Sequence, residues 1–330
     1  MPGAEATTIT LPGCPTPLAP LGVGTWAWGD KSTWGMGGYD TDLTEAAITE
    51  AWQASLDAGL TLFDTAEVYG KGESERIIGR LLAADPGRRD QLVLATKFMP
   101  SPQKLNVKGA MRSALEASIE RLGVERVDLY QIHGPISLRS KAALAEALAE
   151  VRAAGLTSAV GVSNYSVSEM TKIHDELAKR DVPLASNQVE YSLLRRVPES
   201  GGLLGACQRL GVVLLAYSPI GQGRLTGKYS ASNPPPGNRG FSAHPMEQVD
   251  EIVAVLRRIG EAHDRTPSQV ALRWLIDKGT VPIPGAKNAA QADENAGALG
   301  WALSAEELAA LDDASLEGKV SLQNRIWQHG

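Results

Sequence analysis

Four side chains of this 330-residue chain can cooperate in one proton-coupled step: Asp64, Tyr69, Lys97 and His133. A tyrosine phenol has a reference pKa of about 10, too high for an efficient acid near neutrality, but an adjacent ammonium favours phenolate and lowers it. Lys97 can supply that charge, and Asp64 can hold the ammonium in place. The imidazole of His133 can donate a hydrogen bond to a carbonyl oxygen or relay its proton. Such a set suits the reduction of a carbonyl group. Each residue taken singly also has an ordinary structural reading, as a solvated lysine, a core tyrosine or a structural histidine. Their common placement is what distinguishes them.

From about residue 43 onward, apolar segments of strand length alternate with longer segments of helical period, the pattern of βαβ units around a parallel sheet. The pattern predicts strands over residues 21–26, 60–66, 92–98, 127–133, 158–164, 184–191, 212–220 and 280–286. Helical segments lie between them, at residues 43–58, 73–83, 107–122, 141–154 and 167–180. Gly59, Gly123 and Gly155 each come directly after a helical run, as a C′ glycine does. Ser166 with Glu169 and Ser304 with Glu307 have capping-box spacing, and Thr266-Pro267 reads as an N-cap and then proline. About eight strand–helix units over this length predict a closed (β/α)8 TIM barrel rather than an open doubly wound sheet, with residues 1–330 as one domain.

Two stretches fall outside the repeat. Residues 7–11, Pro12-Gly13 and the residues just after them are expected to form a small β-hairpin over one barrel end. Residues 221–246, with Pro234-Pro235-Pro236-Gly237, are too long for an ordinary connection and are expected to be a functional loop. A barrel enzyme builds its site at the C-terminal ends of its strands. Polar residues recur there: Asp64 and Tyr69, Lys97, His133, Ser163 with Asn164, Gln188, Tyr217 with Ser218, and Lys287.

On these residues the chain resembles the aldo-keto reductase superfamily, in its bacterial and plant-plastid branch. The motifs are Phe63-Asp64-Thr65-Ala66-Glu67-Val68-Tyr69-Gly70, Leu94-Ala95-Thr96-Lys97-Phe98, Asp128-Leu129-Tyr130-Gln131-Ile132-His133, Gly161-Val162-Ser163-Asn164 and Tyr217-Ser218-Pro219. The resemblance implies a catalytic tetrad of Asp64, Tyr69, Lys97 and His133, with Tyr69 as general acid for hydride transfer to an aldehyde or ketone. It implies that Ser163, Asn164 and Gln188 hold the nicotinamide carboxamide and that Tyr217 stacks on the ring. Gly24, Thr25 and Trp26 would border the cofactor, and Ser218, Pro219, Ile220, Gly221, Gly223, Leu225 and Lys228 would belong to the loop over the pyrophosphate. Ile283, Gly285, Ala286, Lys287, Gln291, Glu294 and Asn295 would form the adenosine site, Lys287 facing the 2′-phosphate.

The implied cofactor is NADPH in preference to NADH, although Gln291 stands where relatives often carry Arg and Ala286 where they often carry Ser. Lys287 therefore carries most of that preference. Trp26, Trp28 and Trp327, with Trp34, are candidates for an apolar substrate mouth. The implied partner is a small-molecule carbonyl compound. The superfamily also includes cofactor-binding subunits associated with potassium channels, which is the non-enzyme alternative. An aldolase-like reading would make Lys97 a Schiff-base nucleophile, which requires an unpaired amine.

Composition excludes other classes. Apolar residues are 43%, charged residues 21%, and the formal net charge is −6, which argues against a nucleic-acid binder. Cys14 and Cys207 have neither CxxC nor histidine spacing, so no metal site and no disulfide framework is expected. No apolar run approaches a membrane span, and the start lacks a signal-peptide pattern, so a cytoplasmic protein is expected. Gly22-Val23-Gly24-Thr25-Trp26-Ala27 fits a dinucleotide fingerprint only formally, since no long strand precedes it.

Overall fold

The computed structural model describes residues 8–29, 43–236, 244–318 and 326–330. Trp34, and residues 237–243 of the long loop, lie outside them. Eight parallel strands hydrogen-bond in chain order: β1 (Val23–Gly24), β2 (Leu62–Asp64), β3 (Val93–Phe98), β4 (Val127–Ile132), β5 (Thr157–Ser163), β6 (Leu184–Glu190), β7 (Val213–Tyr217) and β8 (Val281–Pro282). A parallel bridge between Gly24 and Gly285 joins the last strand to the first, with the Gly22 and Gly24 amides donating to the Pro282 and Pro284 carbonyls at 2.9 Å. The expected (β/α)8 barrel is the fold observed.

The helices are α1 (Trp26–Gly29), α2 (Glu45–Asp57), α3 (Glu73–Ala84), α4 (Val107–Leu122), α5 (Lys141–Ala153), α6 (Val167–Ala178), α7 (Val197–Ser200), α8 (Leu203–Leu210), α9 (Met246–His263), α10 (Pro267–Asp277), α11 (Ala289–Ala296) and α12 (Ala305–Ala314). Local chemistry sets several boundaries as the sequence predicts: α6, α10 and α12 each start on a complete capping box, at Ser166, Thr266 and Ser304. Among the described residues, no helix is long and apolar enough to cross a membrane.

The strands are shorter than predicted at the closing seam. Pro282 and Pro284 have no N–H to extend the ladder of β8. Trp26, expected at a strand end, instead opens α1, because the Trp28 amide turns back onto the Thr25 carbonyl at 3.0 Å.

Alternation of side chains fills the barrel. Leu62, Val93, Ala95, Leu129, Ala159, Ala185, Leu215, Val281 and Ile283 form the inner cluster together with Leu11, Cys14 and Leu18 of the N-terminal segment. That segment is the expected hairpin: Ile9 and Leu18 exchange two antiparallel hydrogen bonds of 2.8 and 2.9 Å, and Leu11 and Leu18 are buried within the barrel core. Above this apolar layer the same strand faces turn polar. In β6 the register slips by one residue between the pairs Val160–Leu184 and Gly161–Ser186. This bulge lets Ser186 and Gln188, rather than their neighbours, reach the polar groups inside the barrel.

Candidate active site

Asp64 ends β2 and Lys97 lies one residue before the end of β3, so their inward side chains meet above the apolar layer. Both are almost fully buried, at 2% and 0% exposure. The ammonium of Lys97 donates to Asp64 Oδ1, to the Thr65 carbonyl at 2.9 Å and to the phenolic oxygen of Tyr69 at 3.2 Å. All three of its N–H bonds are therefore directed. Burial alone would lower the Lys97 pKa, but the Asp64 carboxylate and the Tyr69 oxygen outweigh it and hold it above the ordinary lysine value. A charged, triply bonded ammonium is a poor nucleophile, which removes the Schiff-base reading.

Asp64 is held in turn. Its Oδ2 accepts from Gln131 at 3.2 Å and from Gln188 at 2.9 Å. Gln131 lies beside Lys97 in the β3–β4 register, and its Oε1 accepts from Ser186 at 3.3 Å. Gly161 makes room for this layer: a Cβ there would stand 2.3 Å from Ser186 Oγ and 3.1 Å from the Gln131 side chain. The sequence pattern does not single out Gln131 as a site residue; its even strand position relative to Leu129 is the available signal.

Tyr69 is placed by a tight turn rather than by a strand. Gly70 and Lys71 come next with φ of +58° and +56°, and a Cβ on Gly70 would stand 1.8 Å from the Gly29 carbonyl oxygen. Two glycines thus let α1 and the Tyr69 turn interlock. We expect Gly70→Ala to cost about 1–3 kcal/mol of stability through backbone strain and to displace the Tyr69 hydroxyl. Thermal melting together with turnover checks this; an unchanged melting temperature would contradict it.

His133 comes directly after β4, its amide continuing the ladder to the Phe98 carbonyl at 2.8 Å. Its ring stands edge-on to Tyr69 with centroids 5.7 Å apart, and 5.5 Å from the Trp327 ring on its other side. Nδ1 is buried without a hydrogen-bonding partner. Desolvation, with the Lys97 charge as the smaller cause, pushes the imidazole pKa well below its ordinary value, so the ring is neutral at physiological pH. An unfolded histidine titrates near 6.5. Below that pH the unfolded chain binds a proton that folded His133 does not, so this residue destabilises the fold progressively as pH falls, by at most about 1.4 kcal/mol per pH unit. Urea unfolding between pH 8 and 5 should show a smaller loss in His133→Gln than in the parent chain.

The other predicted positions divide between the mouth and the core. Ser163 Oγ donates to the Gln188 carbonyl at 2.7 Å, and Asn164 bonds Tyr217 through its Oδ1 at 2.9 Å. The segment Ser218 to Leu225 bends sharply, with positive φ at Ser218, Gly221, Gln222 and Gly223, and Leu225 anchors it in the core. Lys228 is exposed beyond it. Beyond β8, the strand paired with β7, Gln291 Oε1 accepts from the Lys287 amide at 3.0 Å, Glu294 accepts from the Thr266 hydroxyl, and the Asn295 amide donates to the Gly285 carbonyl at 3.2 Å. Ile283 and Ala286 are buried, and Thr25 is wholly buried, bonded to the Asp64 carbonyl at 2.9 Å and to Ser74 at 2.8 Å.

Trp28 corrects the expected substrate mouth. It is 2% exposed, its indole N–H donates to the Ala286 carbonyl at 2.7 Å, and its ring packs 6.3 Å from Phe63, so it ties β1 to the β8 end from within. Trp26 and Trp327 are half-buried at the rim. Among the described residues, no group of acidic, histidine and cysteine side chains could hold a metal ion.

A buried carboxylate–ammonium pair bonded to a half-buried phenol, beside a neutral imidazole at the strand-end face of a barrel, agrees with what the chain is similar to. The Aldo/keto reductase family profile matches residues 20–316. The chain is 38% identical over 327 residues to a chloroplastic pyridoxal reductase of Arabidopsis thaliana, covering 95% of this chain and 88% of that protein. It is 32% identical over 294 residues to the L-glyceraldehyde 3-phosphate reductase of Escherichia coli, covering 83% and 84% of the two. The structure of a glycerol dehydrogenase from Gluconobacter oxydans superposes with a TM-score of 0.80 at 30% identity, covering 97% of this chain and 99% of that one. The fold, the strand-end chemistry and these likenesses agree: the chain belongs to the aldo/keto reductase family of NAD(P)H-dependent oxidoreductases.

Proposed function

We propose that the protein reduces aldehydes and ketones to alcohols with NADPH, and that Tyr69 is the acid that protonates the carbonyl oxygen. The observation that carries this reading is the buried Asp64–Lys97 pair bonded to the half-buried Tyr69, with Lys97 Nζ 3.2 Å from the phenolic oxygen. When bound, the reduced nicotinamide supplies a hydride to the carbonyl carbon. Tyr69 gives its proton to the oxygen, and the phenolate left behind is met by an ammonium already in place, at no reorganisation cost. His133, being neutral, can donate its ring N–H to the same oxygen without adding charge to the site. Asp64, braced by Gln131 and Gln188, keeps the ammonium aimed.

The residues present suit such a cofactor. Ser163 and Asn164 offer a polar edge for the carboxamide, beside the Tyr217 ring for stacking. Gln188 joins them in our reading, although its amide is turned to Asp64. Gly24 and Trp26 would border the ring, Ser218, Pro219, Ile220, Gly221, Gly223, Leu225 and Lys228 would flank the diphosphate, and Ile283, Gly285, Ala286, Gln291, Glu294 and Asn295 would frame the adenosine. Lys287 precedes the N-terminus of α11, where backbone N–H groups and a cation together favour a phosphate.

We expect Lys287→Ala to raise the KM for NADPH about tenfold to a hundredfold, the value of a charge-assisted hydrogen bond, and to leave NADH nearly unaffected. Initial rates with both cofactors check this; a parallel rise for both would remove Lys287 as the 2′-phosphate reader. The reaction itself is tested by loss of absorbance at the reduced-nicotinamide band with a panel of aldehydes and ketones. Pyridoxal, taken from the name of the plant relative, is the first aldehyde to include. Faster turnover with NADPH than NADH supports the reading, and tight NADPH binding with no turnover on any carbonyl would overturn it. Trp327, against His133, and Trp26 are our candidates for the substrate wall.

A further inference from the structure

One run of hydrogen bonds at the barrel mouth takes no part in the proposed proton transfer, yet it crosses the ends of four strands. Gln328, buried in the C-terminal segment, donates through Nε2 to the Glu190 carboxylate at 2.6 Å and to the Tyr217 hydroxyl at 2.8 Å. The Tyr217 hydroxyl donates to Asn164 Oδ1 at 2.9 Å. Asn164 Nδ2 donates to the His133 carbonyl at 3.2 Å and to Ser163 Oγ at 3.1 Å, and Ser163 donates to the Gln188 carbonyl at 2.7 Å.

The direction of this run is set at its ends. A carboxylate and a backbone carbonyl only accept, so Gln328 must present its NH2 group, and one N–H goes to each partner. Tyr217 accepts one of them and has a single proton left, which must go to Asn164. The Asn164 amide is therefore turned with its oxygen toward Tyr217 and both N–H bonds engaged elsewhere. With the Ser163 proton also engaged, the pair has no donor to offer. It retains one lone pair on Asn164 Oδ1 and one on Ser163 Oγ, an edge that only accepts.

The segment that brings Gln328 in is docked at several points. Trp327 packs over His133 and Gly134, the His329 amide donates to the Asn164 carbonyl at 3.2 Å, and Arg195 donates to the Gly330 carbonyl at 3.1 Å.

We propose that Glu190 and Gln328 are positioning residues that lock the Asn164 amide with its oxygen available, so that the site selects a nicotinamide whose ring substituent carries an N–H donor. This rests on the cofactor reading above. A carboxamide NH2 matches the accepting edge, whereas a methyl ketone at the same ring position leaves it unpaired, and an unpaired buried acceptor is costly.

The test is equilibrium binding to the whole chain, read as quenching of protein fluorescence, with NADP+ and with its 3-acetylpyridine analogue, which replaces the amide by an acetyl group. The parent chain should bind NADP+ about tenfold more tightly than the analogue, the worth of one hydrogen bond. In Gln328→Met the Asn164 amide loses the constraint relayed through Tyr217 and is held by the His133 carbonyl and Ser163 alone, so the ratio should fall below that of the parent chain. Glu190→Gln should act in the same direction, because two facing amides no longer dictate which end of Gln328 meets Tyr217. Both constants come from one preparation, so a misfolded fraction lowers the signal but not the ratio. A parent ratio near one with NADP+ bound, or a ratio unchanged in both variants, overturns the inference while leaving the cofactor reading intact. A parent chain that binds neither nucleotide overturns the cofactor reading and this inference with it.

Discussion

Tyr69→Phe is expected to lower the turnover number by about 10²–10⁴-fold, the usual contribution of a positioned acid, and to leave NADPH binding within a few-fold of the parent. The substitution removes one oxygen and keeps the ring that stands 5.7 Å from His133. Lys97 keeps Asp64 and the Thr65 carbonyl as acceptors, so its position does not depend on the deleted hydroxyl. The loss should therefore appear in kcat and in single-turnover rates, with little change in the melting temperature. Stopped-flow measurement of one turnover, beside a fluorescence titration of NADPH, separates the two effects. A variant that still turns over at the parental rate would show that the proton comes from elsewhere, His133 being the nearest alternative.

Lys97→Met is expected to abolish measurable turnover and to destabilise the protein by about 3–5 kcal/mol, because it leaves the Asp64 carboxylate buried without its counter-charge. Asp64 would retain only the two amide donors from Gln131 and Gln188. The double variant Lys97→Met with Asp64→Asn removes the stranded charge as well. It should regain much of the lost stability and none of the activity. Urea unfolding of the two variants reads the stability and NADPH oxidation reads the activity. If the double variant is no more stable than the single one, the pair is not the source of the penalty.

These two substitutions fall on residues whose significance is legible without any coordinates. Asp64, Lys97 and His133 each close an apolar run that reads as a strand, and the strand ends of a barrel are where a site is built. Helix limits are legible for a similar reason: the caps at Ser166 and Ser304 are read from residues three apart and the cap at Thr266 from the proline directly after it, and the structure places all three caps there. The hairpin at the barrel base is readable in outline from Pro12-Gly13 between apolar neighbours, although not the depth to which Leu11 and Leu18 enter the core.

Other features depend on approach between distant segments. Trp28 reads as a mouth residue because it comes after the first strand, but a helical turn at Trp26 carries it inward to the Ala286 carbonyl, 258 positions away. The part played by Gln188 changes with a one-residue bulge in β6, which apolar periodicity does not register. Gln131 reads as one more strand residue until the β3–β4 register sets it beside Lys97. Gln328 carries no local signal; its contact with Tyr217 spans 111 positions.

By itself, then, the sequence determined the alternation of strands and helices, the barrel it implies and the residue types at the strand ends, because period, capping and glycine placement act over a few residues of chain. Only the tertiary structure decided which polar atoms face one another and in which direction each donates. Those depend on strand register, one bulge and the docking of the C-terminal segment, where packing across long separations selects one arrangement from many that the local pattern allows.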